Sequence, residues 1–145
     1  MLQITRGTDY GVRVVAHLST LPAGGRAKLE ELAAATDVPA SFLSKILQEL
    51  TGAGLIVSHR GATGGFELAL APDRITMLDV VTALEGPVAL NCCLGEPGSC
   101  LRKPVCPIHP VWFEAQSRFL EVLRAYTFDR VVPGPIPPLD SDDVR

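Results

Sequence analysis

The stretch Val38-Pro39-Ala40-Ser41-Phe42-Leu43-Ser44-Lys45-Ile46-Leu47-Gln48-Glu49-Leu50-Thr51 limits the possible folds more than any other part of the chain. Phe42, Leu43, Ile46, Leu47 and Leu50 recur at i, i+3 and i+4, which predicts a helix from Ala40 to Thr51 with one buried stripe. Ser41, Ser44, Lys45, Gln48 and Glu49 are left facing out. Thr36-Asp37-Val38-Pro39 reads as the turn before this helix, and Gly52 and Gly54 stop it. Upstream, Leu29, Leu32 and Ala33 mark a short helix from Lys28 to Ala35. Val12, Val15 and Leu18 mark a longer one from Asp9 to Leu21, with Thr8 as its cap. Downstream, Leu55–His59 is strand-like and Phe66–Leu70 alternates with period two. Arg60-Gly61-Ala62-Thr63-Gly64-Gly65 makes a glycine-rich tip between them. Two helices joined by a short turn and followed by a hairpin have the order of a winged helix-turn-helix. Its second helix is the one offered to a major groove, and the hairpin is the wing.

Charge neither announces nor forbids a nucleic-acid partner. The 145 residues are 47% hydrophobic, enough for a sizeable core, and carry a formal net charge of −3. Residues 1–75 hold seven basic and seven acidic side chains, while residues 76–145 hold six and nine. Any contact with double-stranded DNA must therefore come from a local patch. Ser41, Ser44, Lys45 and Gln48 can donate or accept at base edges and phosphates. His59, Arg60 and the backbone of Gly64 and Gly65 are the corresponding candidates on the wing. The opening MLQITRGTDYGVRV has no basic segment leading into an apolar one, so nothing marks the chain for export and a cytoplasmic protein is expected. No apolar stretch is long enough to span a bilayer. No nucleophile–base constellation or phosphate loop is visible, so neither catalysis nor a small-molecule substrate is expected.

Cys92, Cys93, Cys100 and Cys106 fall within fifteen residues, and the other 130 positions contain no cysteine. They lie among Asn91, Gly95, Pro97, Gly98, Pro104 and Pro107, which is loop chemistry rather than a helical or strand period. Reducing surroundings disfavour a structural disulfide. Soft thiolates select zinc, copper(I) or iron–sulfur clusters. Zinc sites with short spacing usually open with C-x2-C, whereas this chain has C-x6-C and C-x5-C. The wider loops suit a larger object, so the spacing favours an iron–sulfur cluster. A zinc clasp, a cluster-free thiol switch and an electron carrier with no DNA role are the alternatives.

Thr76, with Asp79 at the capping-box position, predicts a helix ending near Glu85. A last helix from Val111 to Tyr126 carries Trp112, Ala115, Phe119, Val122, Leu123 and Tyr126 on one face. That stripe is too large for one terminal helix to bury alone, so a twin helix in a homodimer is expected to cover it. The predicted fold is mainly α with a small β-hairpin: a winged helix-turn-helix followed by a long C-terminal dimerisation helix. Its expected divisions are a DNA-binding region at 1–75, a cysteine loop and dimerisation helix at 76–130, and a tail at 131–145. The last fifteen residues hold four prolines and three aspartates, a disordered composition.

Taken in order, these parts resemble the bacterial winged-helix regulators typified by IscR, NsrR, RirA and CymR. Ile4-Thr5-Arg6-Gly7-Thr8-Asp9-Tyr10-Gly11 is similar to that family's first-helix entry. The stretch 38–47 resembles its recognition helix, and Gly61-Ala62-Thr63-Gly64-Gly65-Phe66-Glu67-Leu68 its wing. The resemblance covers about residues 1–130 and implies a homodimeric, cytoplasmic transcription factor acting on operator DNA. Members with three such cysteines hold an iron–sulfur cluster and sense iron, cluster supply, oxygen or nitric oxide. Here Cys93, or Cys92 in its place, would join Cys100 and Cys106. IscR-like members take a histidine as fourth ligand, matched by His109 in Cys106-Pro107-Ile108-His109. NsrR-like members take an aspartate, matched by Asp9 in Thr8-Asp9-Tyr10. A four-iron cluster is favoured over a two-iron one.

Overall fold

The computed structural model describes residues 4–131. Helix α1 spans Arg6–Ser19, α2 Leu29–Thr36 and α3 Ala40–Gly52. Strands β1 (Ile56–His59) and β2 (Gly65–Leu68) form an antiparallel hairpin, followed by α4 (Met77–Glu85) and α5 (His109–Ala125). This is the expected helix-turn-helix with a wing. The α2–α3 turn closes through Asp37, which takes a left-handed conformation (φ 53°) that aspartate tolerates better than most residues. Val38 is buried inside that turn.

The first helix begins earlier than its apolar pattern predicts. Thr5, not Thr8, is the cap: its hydroxyl accepts the amide of Thr8 at 3.3 Å. Thr8 lies inside the first turn and is fully buried. The Thr76 cap is as expected, since Thr76 N donates to Asp79 Oδ2 at 2.8 Å and Asp79 N to Thr76 Oγ1 at 3.2 Å. The strands are shorter than expected, four residues each, in the register Ile56↔Leu68, Val57↔Glu67, Ser58↔Phe66 and His59↔Gly65. Ala27 adds a short third edge, with Ala27 N donating to Phe66 O at 3.0 Å and Phe66 N to Ala27 O at 2.8 Å.

Among the described residues, one core cluster joins the helix-turn-helix, the wing and α4. Val14, Val15 and Leu18 from α1 meet Leu32 from α2, Leu43, Ile46, Leu47 and Leu50 from α3, and Ile56 from β1. Ile75, Val80 and Phe128 join the same cluster, so packing runs without a break across position 75. Phe42 departs from the expected buried stripe. It is 51% exposed and rests edge-on against Tyr10 of α1.

Helix α5 packs along α4, yet none of its residues is buried. Phe119 and Leu123 are half-covered, whereas Trp112, Ala115, Val122 and Tyr126 of the expected stripe stay exposed. After α5 the chain returns to the core: Met77 N donates to Tyr126 O at 2.8 Å, and Phe128 is buried beneath the start of α4. The tail expected at 131–145 lies, from residue 132 onward, outside the described residues.

Candidate nucleic-acid interface and cysteine site

Ser41, Ser44, Lys45 and Gln48 all stand on the exposed face of α3. The Lys45 side chain is 80% exposed, and its ammonium lies 3.7 Å from Glu49 Oε1, a loose pair one helical turn on. Such an exposed i,i+4 pair contributes about 0.3–0.5 kcal/mol, so it leaves Lys45 available to a phosphate. On the wing, Arg60 is exposed and His59 is half-buried.

The two wing glycines have reasons inside the protein. A Cβ on Gly64 would stand 2.4 Å from the carbonyl oxygen of His59, and its amide already donates to Gly61 O at 3.0 Å. Gly64 is buried, and Gly65 adopts φ +139° with the Ala27 carbonyl oxygen 2.8 Å from where a Cβ would be. The Gly64 amide is thus engaged within the tip, whose tight folding requires glycine there.

Wing residues are tied together by a side chain that periodicity did not mark. Arg26 Nε donates to Glu67 Oε2 at 3.0 Å, and Arg26 Nη1 donates to Thr63 O at 3.3 Å. His59 Nε2 lies 2.8 Å from Glu67 Oε1, close enough for an ion pair when the imidazole is protonated but not aligned as a hydrogen bond. Arg26 and then His59 hold the Glu67 carboxyl below the usual carboxylate range. No short-range sequence signal reveals this arrangement, because Arg26 and Glu67 are 41 positions apart.

The cysteine loop joins α4 to α5. A single 3-10 turn at Cys92–Leu94 sends the vicinal thiols in different directions: Cys92 is exposed and Cys93 is only 7% exposed. Cys100 and Cys106 are half-buried, and all four thiols are free. The Ser99 hydroxyl donates to the Cys92 carbonyl and folds the loop back on itself. Burial pushes the Cys93 thiol up from its ordinary pKa, and the neighbouring thiols of Cys100, Cys92 and Cys106 push it further. Four thiols thus share one neighbourhood, although among the described residues no three His, Cys, Asp or Glu side chains are gathered closely enough for a single metal ion.

The two fourth-ligand candidates sit differently. His109 is the first residue of α5, and its amide reaches Cys106 O at 3.3 Å. Its Nδ1 is buried with no hydrogen-bond partner. Asp9 lies on the exposed side of α1, paired with Arg13 Nη2 at 2.7 Å. One residue before Asp9, Thr8 Oγ1 donates to Glu85 Oε1 at 2.6 Å, and Thr5 N reaches the same oxygen at 2.9 Å. These bonds join the start of α1 to the end of α4, where the chain leaves for the cysteine loop.

Residues 4–134 match the Rrf2 family, described as "Iron-dependent Transcriptional regulator". The chain belongs to this family, and it is a transcriptional regulator of the winged-helix class. It is 31% identical over 145 residues to the HTH-type transcriptional regulator NsrR of Shouchella clausii, covering 99% of this chain and 93% of that protein. It is 36% identical over 127 residues to the NsrR of Geobacillus kaustophilus, covering 87% of this chain and 86% of that one. Among solved structures, CymR (YrzC), described as the global cysteine regulator of B. subtilis, superposes with TM-score 0.72 at 27% identity over 89% of this chain and 95% of its own. IscR of T. potens superposes with TM-score 0.70 at 26% identity over 88% and 84%. The family and these relatives are regulators rather than enzymes. No helix among the described residues is long and apolar enough to cross a membrane.

Proposed function

We propose that this regulator works as a cytoplasmic homodimer on operator DNA and senses redox state, nitric oxide or iron and cluster supply through an iron–sulfur cluster. The observation that carries the sensing half is the single buried sulfur of Cys93, with Cys100, Cys92 and Cys106 around it in one loop. Free thiols gathered in one loop are the soft donor set such a cluster takes. Bound there, a cluster supplies iron whose ligation and charge respond to oxidants, diatomic gases and iron supply. Cys93, Cys100 and Cys106 would hold it, with exposed Cys92 left over.

For the fourth position, the unpartnered Nδ1 of His109 speaks for histidine. The Thr8-Asp9-Tyr10 setting shared with NsrR-like members speaks for aspartate, and the exposed Asp9–Arg13 pair is too weak to withhold it. Four irons go with Asp9 and two with His109; four are expected. Ser41, Ser44, Lys45 and Gln48 would face the major groove, with His59, Arg60, Gly64 and Gly65 on the wing beside the backbone or minor groove. The exposed part of the stripe on α5 supports the dimer, as Trp112, Val122 and Tyr126 are not covered by the other described residues.

Purification without oxygen, with an absorption spectrum and iron and sulfide assays, tests the sensing half. Visible charge-transfer bands with matching iron and sulfide are expected. Cys93→Ser, Cys100→Ser and Cys106→Ser should each lose them, while Cys92→Ser keeps them. A colourless protein, still free of iron and sulfide after attempted reconstitution, would select a second reading that exposed Cys92 keeps open. In that reading the cysteines bind zinc or act as a cluster-free thiol switch.

A further inference from the structure

The core fixes the base of the wing: Ile56 of β1 is buried with α1 and α3, and Phe66 and Leu68 of β2 pack against that cluster. The hairpin has four residues in each strand, and a two-stranded ribbon of that size is marginal on its own. Its tip carries Arg60, the exposed wing residue read above as a DNA contact. What ties down the outer part of this hairpin is the connection between α1 and α2. Ala27 pairs with Phe66, one step from the tip, through two backbone hydrogen bonds. Arg26 grips the wing on either side of that pair, through Glu67 Oε2 in β2 at 3.0 Å and the Thr63 carbonyl in the turn at 3.3 Å. Glu67 is only 20% exposed and turns its other oxygen to His59, the residue that precedes Arg60. One guanidinium thereby reaches both β2 and the turn of the wing.

We propose that Arg26 is a positioning residue of the nucleic-acid interface: through Glu67 and Thr63 it fixes the wing so that Arg60 meets the DNA backbone, without touching DNA itself. The proposal rests on the reading of Arg60 as a wing contact. A loose wing must be ordered when DNA binds, and that entropy cost subtracts from affinity; a braced wing has met it during folding. The planar fork of arginine supports two bonds at a fixed angle, which the single ammonium of lysine does not reproduce. At this exposure the ion pair adds little to stability, so its effect belongs to binding.

The sign of one substitution separates bracing from plain electrostatics. Glu67→Gln removes a negative charge beside the DNA, which on charge alone strengthens binding. Bracing requires the opposite, because Arg26 loses its anchor. The probe is a duplex that the wild-type protein enriches from a random-sequence pool, titrated over a range of salt concentrations. Arg60→Gln is expected to lower the slope of log affinity against log salt by about one. Arg26→Gln and Glu67→Gln should each weaken binding and give the same loss of slope, with unchanged thermal unfolding. The Arg26→Gln/Arg60→Gln double variant should lose no more than Arg60→Gln alone, since both act on one contact.

Stronger binding by Glu67→Gln would overturn the proposal. So would additive slope losses in the double variant, which would mean that Arg26 contacts a phosphate directly. An unaltered slope in Arg60→Gln would leave the brace nothing to position and would overturn it as well. Failure of the DNA-binding reading looks different: the wild-type protein itself would enrich no sequence and bind no duplex at any salt.

Discussion

Glu85 ends α4 at the pole where a carboxylate is least welcome, since carbonyl dipoles already concentrate negative charge there. The start of α1 supplies the compensation. The Thr8 hydroxyl, and then the Thr5 amide, hold the Glu85 carboxyl below the usual carboxylate range. A depressed folded pKa stabilises the protein above the unfolded value, and that contribution is lost as pH falls through the folded value. Glu85→Gln is therefore expected to cost about 1 kcal/mol at neutral pH, a modest figure because Glu85 is exposed. The difference should vanish in acid, where both variants carry a neutral side chain. Paired chemical denaturation at the two pH values checks this, and a gap that persisted in acid would contradict it. Residue-scale features divide by sequence distance. The Thr76–Asp79 cap was legible because both partners lie within one turn, whereas Thr8–Glu85 and Arg26–Glu67 join distant positions and leave no periodic mark.

Elements were easier to foresee than their edges. The stripe of Leu43, Ile46, Leu47 and Leu50 on α3 is buried as its spacing predicts, while Phe42 stays exposed against Tyr10 of α1, a contact that periodicity alone does not mark. The first helix was placed too late because Arg6, Gly7 and Thr8 carry no apolar period, yet the cap at Thr5 recruits them. Ser41, Ser44, Lys45 and Gln48 are exposed as their spacing predicts, whereas Glu49 is half-buried, and the chemistry of this face can be checked. Lys45→Ala should weaken binding to all duplexes alike and lower the salt slope by about one if the ammonium meets a phosphate. An unchanged slope in a salt titration would remove Lys45 from that role. Sequence favoured Cys93 over Cys92 only through its shorter loop to Cys100; the 3-10 turn buries Cys93 and leaves Cys92 exposed.

At the scale of the molecule, α5 connects two things. Its first residue, His109, follows the cysteine loop, and beyond its last turn Phe128 is anchored in the core shared with α1 and α3. Its outer face shows Trp112 (40% exposed) and Val122 (50%), an arrangement a twin helix would cover. Trp112→Glu should accordingly yield a monomer by sedimentation equilibrium with its helical circular dichroism retained; an unchanged dimer would place the interface elsewhere. The cysteine loop is continuous with α4, and α4 packs on α1 and α3, so a change in the loop has a contiguous route to the reading head. Whether that route carries information is a coupling free energy between two sites. The direct measurement is the affinity of one anaerobic preparation for one enriched duplex, before and after cluster removal. A change of about fivefold or more is expected, the range typical of allosteric coupling. Equal affinity of the two forms for every duplex tested would contradict a cluster-sensing regulator.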